Sequence, residues 1–197
     1  MVDKYGVAND PYCYPQTEIL INNFDIRSAD ILEDVEAELT TIRLEQFHDS
    51  DQVINFEYFK AIHFHLFQDL YTWAGQIRTV DISKGDTRFC NVARIEKEGS
   101  KCFSILSHLD NLSDSNSDEF IAQLTDFFCE MNVVHPFREG NGRALRLLCE
   151  VIAKRSGFIL SWNNISPKQW MEANIAGYHG DLTPLIKIFS NSTRKIV

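Results

Sequence analysis

Residues 135–146 carry most of the side chains in this sequence that could do chemistry. The segment contains His135, Glu139, the run Gly140, Asn141 and Gly142, and the arginines Arg143 and Arg146. Glycines allow backbone conformations that turn successive N–H groups to one side. The helix that should follow adds its own unpaired N–H groups and the positive end of its dipole. The segment therefore predicts a binding site for an anion.

The two arginines, the glutamate and the histidine indicate which anion and which reaction. Arg143 and Arg146 are three positions apart, so on a helix they share a face and can both contact one di- or triphosphate. Glu139 would repel phosphates unless Mg²⁺ lies between them, so a magnesium ion is implied. His135 titrates near neutral pH and can accept a proton from an incoming hydroxyl as general base.

Each of these residues also has a purely structural interpretation. A histidine near a helix end is usually hydrogen-bonded structure, an Arg–Glu neighbour pair is usually a solvated surface, and Gly-Asn-Gly is usually a turn. Taken singly, the structural interpretation is favoured. Their order within one short segment favours phosphate chemistry.

The elements that must position this segment are predicted to be mostly helical. Pro136 disfavours helical dihedrals at His135, so one helix should end near Val134 and the next begin at Arg143. Lys84, Gly85 and Asp86 interrupt a β-like alternation over 81–92, which predicts a hairpin. Apolar periodicity and capping signals predict helices over 29–47 (with Ser28 as N-cap), 56–70, 95–109, 119–134, 143–155, 168–178 and 182–189. The predicted fold class is all-α, with one small β-hairpin.

Length, charge and cysteine usage narrow the remaining possibilities. The 197 residues predict a single domain over 1–197, with an irregular arm over 1–27 and a polar connector over 111–118. The net charge of −9 disfavours direct binding of nucleic acid. Five cysteines without a Cys-x-x-Cys pair, and the lack of an apolar run of signal-peptide or membrane-span length, predict reduced thiols, no membrane and a cytoplasmic location.

Residues 135–146 resemble the signature of the Fic family, H-x-F-x-[D/E]-G-N-G-R-x-x-R, with every fixed position matched. Ile62-His63, Trp73-Ala74-Gly75 and Arg78 are similar to the family segment that leads into its hairpin flap. Asp10-Pro11-Tyr12 resembles an arm of bacterial toxin-like members.

This resemblance implies a helical Fic-type bundle that transfers AMP from ATP to a hydroxyl side chain of a target protein. His135 would be the base and Glu139 the Mg²⁺ ligand, Gly140, Asn141 and Gly142 would cradle phosphates, and Arg143 with Arg146 would orient the β- and γ-phosphates. Gly142 favours nucleotide transfer, because relatives that phosphorylate have lysine there. Transfer of phosphate, another nucleotide or phosphocholine, and nucleotide binding without catalysis, remain alternatives.

The resemblance also gives the hairpin a role. As a flap, it would register the target along its edge through Asp81, Ile82, Ser83, Lys84, Gly85 and Asp86. Lys84 and Gly85, at its tip, would also approach the nucleotide. An ordinary structural hairpin is an equally good interpretation of these residues.

The lack of one family pattern suggests a protein partner for this chain. Many Fic proteins carry an inhibitory helix with the pattern [S/T]-x-x-x-E-[G/N], and this chain has no such string. We therefore expect a toxin whose separate small antitoxin supplies the glutamate, paired with Arg146. Type II topoisomerases and small GTPases are candidate targets by resemblance to other members.

Overall fold

A computed structural model describes residues 10–50, 52–106, 117–163 and 165–196. The chain divides into two compact units, one of residues 1–95 with 135–144 and one of residues 96–134 with 145–197. Most of the predicted polar connector, and the first nine residues of the predicted arm, lie outside the described residues. A single domain over 1–197 stays a prediction.

Helices dominate the described residues, as the predicted all-α class requires. The α-helices are α1 (Ala29–Glu45), α2 (Phe56–Phe67), α3 (Ile95–Leu106), α4 (Ser117–Val134), α5 (Asn141–Arg155), α6 (Pro167–Tyr178) and α7 (Thr183–Ser192), with a 3₁₀ turn at Val92–Arg94. The strands are β1 (Ser83–Lys84), β2 (Thr87–Arg88), β3 (Phe158–Leu160) and β4 (Thr193–Lys195). The predicted helical fold with a small hairpin is confirmed, while the β3–β4 pair was not predicted.

The predicted start of one helix is wrong, and the predicted N-cap of another is occupied without a capping bond. Helix α5 begins at Asn141 and not at Arg143, because the N–H of Ala144 already donates to the carbonyl of Gly140 at 3.1 Å. Ser28 does occupy the N-cap position of α1, but its side chain accepts no capping hydrogen bond. Gly142 therefore lies inside the first turn of a helix, and only Gly140 supplies a left-handed turn there, with φ +78°.

In the first unit, α2 supplies the apolar core. Phe59, Ile62 and Leu66 recur at helical spacing and are buried, and the side chain of Asn55 caps the helix by accepting the N–H of Tyr58 at 2.9 Å. Helix α1 packs against α2. Strands β1 and β2 form an antiparallel hairpin whose turn contains Gly85, with φ +57°.

The described part of the N-terminal arm is held by an aromatic contact. The ring of Tyr12 meets Trp73 edge-on, with centroids 5.5 Å apart. The Tyr12 hydroxyl also accepts the N–H of Thr79 at 3.0 Å. The arm thereby reaches the segment that leads into the hairpin.

In the second unit, α4 packs against α6 and α7, and Phe120 stacks on Phe158 of β3 with centroids 4.4 Å apart. Strand β3 pairs antiparallel with β4, far along the chain, which is why no local pattern predicted it. None of the helices in the described ranges combines the length and hydropathy that a membrane span requires. None of the five cysteines takes part in a disulfide.

Candidate active site

The loop of residues 135–140 is closed by Asn141. Its side-chain oxygen accepts the N–H of Phe137 and its side-chain nitrogen donates to the carbonyl of Phe137, both at 2.8 Å. Phe137 is fully buried and anchors the loop in the core. The Asn141 side chain therefore shapes the loop. Its backbone N–H lies in the first turn of α5, where N–H groups have no carbonyl partner within the helix.

Arg78 fixes the backbone of His135. Its Nε donates to the carbonyl of His135 at 2.9 Å, and its backbone N–H donates to the carbonyl of Pro136 at 2.9 Å. The same guanidinium donates to the carbonyls of Val80, at 2.6 Å, and Cys90, at either end of the hairpin. Burial lowers the pKa of this guanidinium, although nearby Asp81 opposes the shift. His135 itself has φ +46°, a conformation that L-residues rarely adopt.

The imidazole of His135 is half-buried and stacks on Phe89, the residue after β2, with centroids 3.8 Å apart and rings 16° from parallel. This contact orients the ring of the predicted base. The sequence gives no local signal for this stacking, because Phe89 and His135 are far apart in the chain and nothing around either residue specifies the other.

His63 of α2 holds the loop at Glu139. Its Nε2 lies 2.9 Å from the backbone oxygen of Glu139, and its Nδ1 lies 2.9 Å from the backbone nitrogen of Gly75. Burial lowers the pKa of His63 to about 3, so the ring is neutral at physiological pH. His65, on the same helix, is also hydrogen-bonded: its Nε2 lies 2.7 Å from the carbonyl oxygen of Arg43.

The Glu139 carboxylate and Gly140 form a compact turn. The N–H of Gly140 donates to Oε1 of Glu139 at 3.0 Å. A Cβ at position 140 would lie 2.3 Å from Cζ of Phe67, closer than any real side chain allows. Gly140 is therefore required both by its positive φ and by the close approach of α2.

Arg143 is held by α1. Its guanidinium pairs with the carboxylate of Glu36, lies 3.5 Å from the hydroxyl of Thr40, and sits over the ring of Phe67 at 4.8 Å. The Tyr71 hydroxyl donates to the other Glu36 oxygen, and burial raises the pKa of Tyr71. Sequence reasoning missed Glu36, which lies more than a hundred residues before Arg143.

A buried ion pair ties the loop to the N-terminal arm. Arg138 and Asp10 approach to 2.5 Å with almost no exposed side-chain surface. Asp10 also accepts the N–H of Tyr12 at 2.9 Å. The motif position between Phe137 and Glu139 is thus a structural anchor.

The residues predicted for target docking divide into two sets. Lys84, Gly85 and Asp86 are exposed at the hairpin tip, whereas Ile82 is buried. The Asp81 carboxylate accepts the N–H of Val92 at 2.7 Å and the side chain of Asn91 at 2.6 Å, so it holds the base of the hairpin. Ser83 belongs to β1.

Arg146 belongs to the second unit. Its guanidinium lies over the ring of Trp170 at 5.6 Å, and Trp170 packs edge-on against Trp162. One turn later on α5, burial raises the pKa of Glu150, and the charge of Arg146 opposes that shift. The cation–π contact with Trp170 orients the Arg146 guanidinium.

The sequence model of the Fic/DOC family matches residues 53–153. The chain belongs to this family. It is 41% identical over 190 residues to the probable protein adenylyltransferase Fic of Escherichia coli K12, covering 96% of this chain and 95% of that protein. It is 33% identical to the protein adenylyltransferase VbhT of Bartonella schoenbuchensis, over 90% of this chain and 38% of that protein.

A solved structure has a fold similar to that of this Fic/DOC chain. The BepC effector protein of Bartonella tribocorum, crystallised with bound AMPPNP, matches with a TM-score of 0.86 and 25% identity, over 94% of this chain and 97% of that one. The predicted family and enzyme class, a nucleotidyltransferase, are therefore confirmed. The roles of the individual site residues stay predictions.

Proposed function

We propose that the chain transfers AMP from ATP to a serine, threonine or tyrosine hydroxyl of a target protein. The observation that carries the proposal is the loop of residues 135–140. Within one unit, it brings together a ring-stacked His135, a carboxylate at Glu139 and the N-terminus of α5. The relatives named as adenylyltransferases support AMP as the transferred group.

In this proposal, His135 accepts the proton of the target hydroxyl as its oxygen attacks the α-phosphorus of ATP. A bond forms between that oxygen and the α-phosphorus, the bond to the bridging oxygen breaks, and pyrophosphate leaves. The Phe89 stack and the Arg78 bond to the His135 carbonyl hold the imidazole in place before the target arrives. Arg143 and, by its motif position, Arg146 would bind the β- and γ-phosphates. Backbone N–H groups at Asn141 and Gly142 would bind phosphate oxygens. Gly140 would shape the cradle, because its own N–H donates to Oε1 of Glu139.

The residues present fit a magnesium ion that is shared with the nucleotide. No three His, Cys, Asp or Glu side chains of the described residues could hold a metal by themselves. Mg²⁺ is commonly bound by one or two carboxylates together with substrate phosphates and water, so Glu139 alone is a sufficient protein ligand. When bound, the ion would neutralise phosphate charge.

The proposal is tested by incubating the purified chain with ATP labelled on the α-phosphate and a cell lysate, followed by mass spectrometry of labelled proteins. We expect addition of an adenylyl group to a hydroxyl residue, and its loss in His135→Ala. The control is His48→Ala, which removes an exposed histidine of the same unit. Addition of phosphate alone, or labelling that survives His135→Ala, would contradict the proposal.

We also propose that the chain is the toxin of a toxin–antitoxin pair and acts in the cytoplasm on a protein target. The missing inhibitory string supports a separate antitoxin, whose glutamate would pair with Arg146. Co-expression with the product of a neighbouring small gene should suppress labelling by the chain. A purified chain that is already inactive, and unchanged by any such partner, would argue against an antitoxin. The same lysate experiment decides between a topoisomerase, a GTPase and another target.

A further inference from the structure

We infer that His63 is a positioning residue that orients the carboxylate of Glu139 through one peptide group of the loop. The inference rests on the proposed function, because it concerns the residue proposed to bind magnesium. His63 would contact neither nucleotide nor target, and it would act only through the loop backbone.

The hydrogen bonds of His63 determine its tautomer. The backbone nitrogen of Gly75 can only donate, so Nδ1 of His63 must accept, across 2.9 Å. In a neutral ring the proton then lies on Nε2, which donates to the carbonyl oxygen of Glu139, also across 2.9 Å. Both polar atoms of the ring are thereby used.

The ring itself is immobilised by its neighbours. The His63 side chain is fully buried and stacks on Phe137, with centroids 3.8 Å apart, and on Phe67, at 4.6 Å. Gly75 lies close against α2, since a Cβ there would lie 2.8 Å from Cβ of Phe64. The Nε2–H donor therefore has one direction.

The bond to the Glu139 carbonyl fixes more than one atom. A trans peptide group is planar, with its C=O and N–H pointing in opposite directions, so holding the carbonyl of Glu139 also aims the N–H of Gly140. That N–H donates to Oε1 of the Glu139 side chain at 3.0 Å. A continuous series of donors and acceptors thus runs from His63 to the carboxylate, and such series reinforce one another.

Two substitutions separate the two bonds of the ring. His63→Gln places an amide nitrogen near the original Nε2 and can still donate to the Glu139 carbonyl. His63→Asn places its amide near the original Nδ1, so it can keep the Gly75 contact but cannot reach the loop. Both variants lose the stacked ring, and each keeps one of the two bonds: His63→Gln the bond to the Glu139 carbonyl, His63→Asn the bond to Gly75. A difference measured in the loop itself therefore reports the bond to Glu139.

The first measurement needs no nucleotide. Hydrogen exchange of a peptide that contains residues 137–144 should be about tenfold faster in His63→Asn than in His63→Gln, as expected for one lost hydrogen bond. The corresponding pair at His65, whose Nε2 contacts the Arg43 carbonyl, should show no difference in this peptide. Titration calorimetry of ATP with Mg²⁺ should give a Kd about tenfold weaker for His63→Asn than for His63→Gln.

Equal exchange and equal Kd in the two His63 variants would overturn the inference, even if both variants are inactive. If both unfold, ¹⁵N spectra of histidine in the wild-type chain decide, because a ring with its proton on Nδ1 contradicts the geometry and a neutral ring protonated on Nε2 supports it. A wild-type chain that binds ATP but labels no protein would refute the proposed function. The exchange ratio would still test the role of His63.

Discussion

Replacing Gly140 with alanine tests the close approach between the loop and α2. Gly140 has φ +78°, and a left-handed conformation costs an L-residue about 1–2 kcal/mol. The new Cβ would also lie 2.3 Å from Cζ of Phe67, whose buried ring is stacked on His63 and cannot swing away. Overpacking of this kind costs about 1–3 kcal/mol, so the total loss should be about 2–5 kcal/mol.

Gly157→Ala is the matched control. Gly157 has φ +81°, but nothing lies within 4 Å of its virtual Cβ, so only the backbone cost of about 1–2 kcal/mol applies. Any effect of alanine on the unfolded chain is the same in both variants. Urea unfolding should therefore show Gly140→Ala to be less stable than Gly157→Ala by about 1–3 kcal/mol.

The clash itself is tested in a double variant. Phe67→Leu removes the ring atoms that the new Cβ would meet, so Gly140→Ala should cost less in that background than in the wild type. Equal destabilisation by the two glycine substitutions, or strict additivity with Phe67→Leu, would refute the reasoning.

Three further predictions follow from burial. Asp10→Ala removes the carboxylate that is paired with the buried Arg138 guanidinium and should cost about 3–5 kcal/mol in urea unfolding. Asp25→Asn, which removes the charge of an exposed pair and keeps a residue type that tolerates φ +53°, should leave stability unchanged, and equal losses would contradict this. Burial raises the pKa values of Cys102 and Cys129 to about 11, so neither thiol should react with iodoacetamide at pH 8 until the chain unfolds, as intact mass would show. Because unfolded thiols ionise near pH 9, stability from these groups is present below pH 9 and should fall between pH 9 and 11; a melting temperature that stays constant over that range would contradict the assignment.

Features encoded over short stretches of chain could be predicted from the sequence. The end of α4 at Val134 follows from Pro136, and the hairpin turn follows from Gly85. The burial of Phe137 follows from its position as the apolar residue of the loop. Each of these depends on residues within a few positions of one another.

Contacts between distant segments could not be predicted. Glu36 and Arg143 attract one another only after α1 has packed against α2, and nothing in either local sequence specifies the pairing. Burial along α1 shows the same limit. Ile31 is exposed and Thr40 is buried, because the position of the neighbouring helix, and not hydropathy alone, decides which face is covered.

The shared guanidinium of Arg78 has a mechanical consequence. Both ends of the hairpin and the backbone of the proposed base are bonded to one rigid, fully buried planar group. A strand that docks along the hairpin edge would therefore bind to a part of the structure whose position relative to His135 is already fixed. Alignment between an incoming hydroxyl and the imidazole would then be set by where the strand docks, without any closing motion of the hairpin.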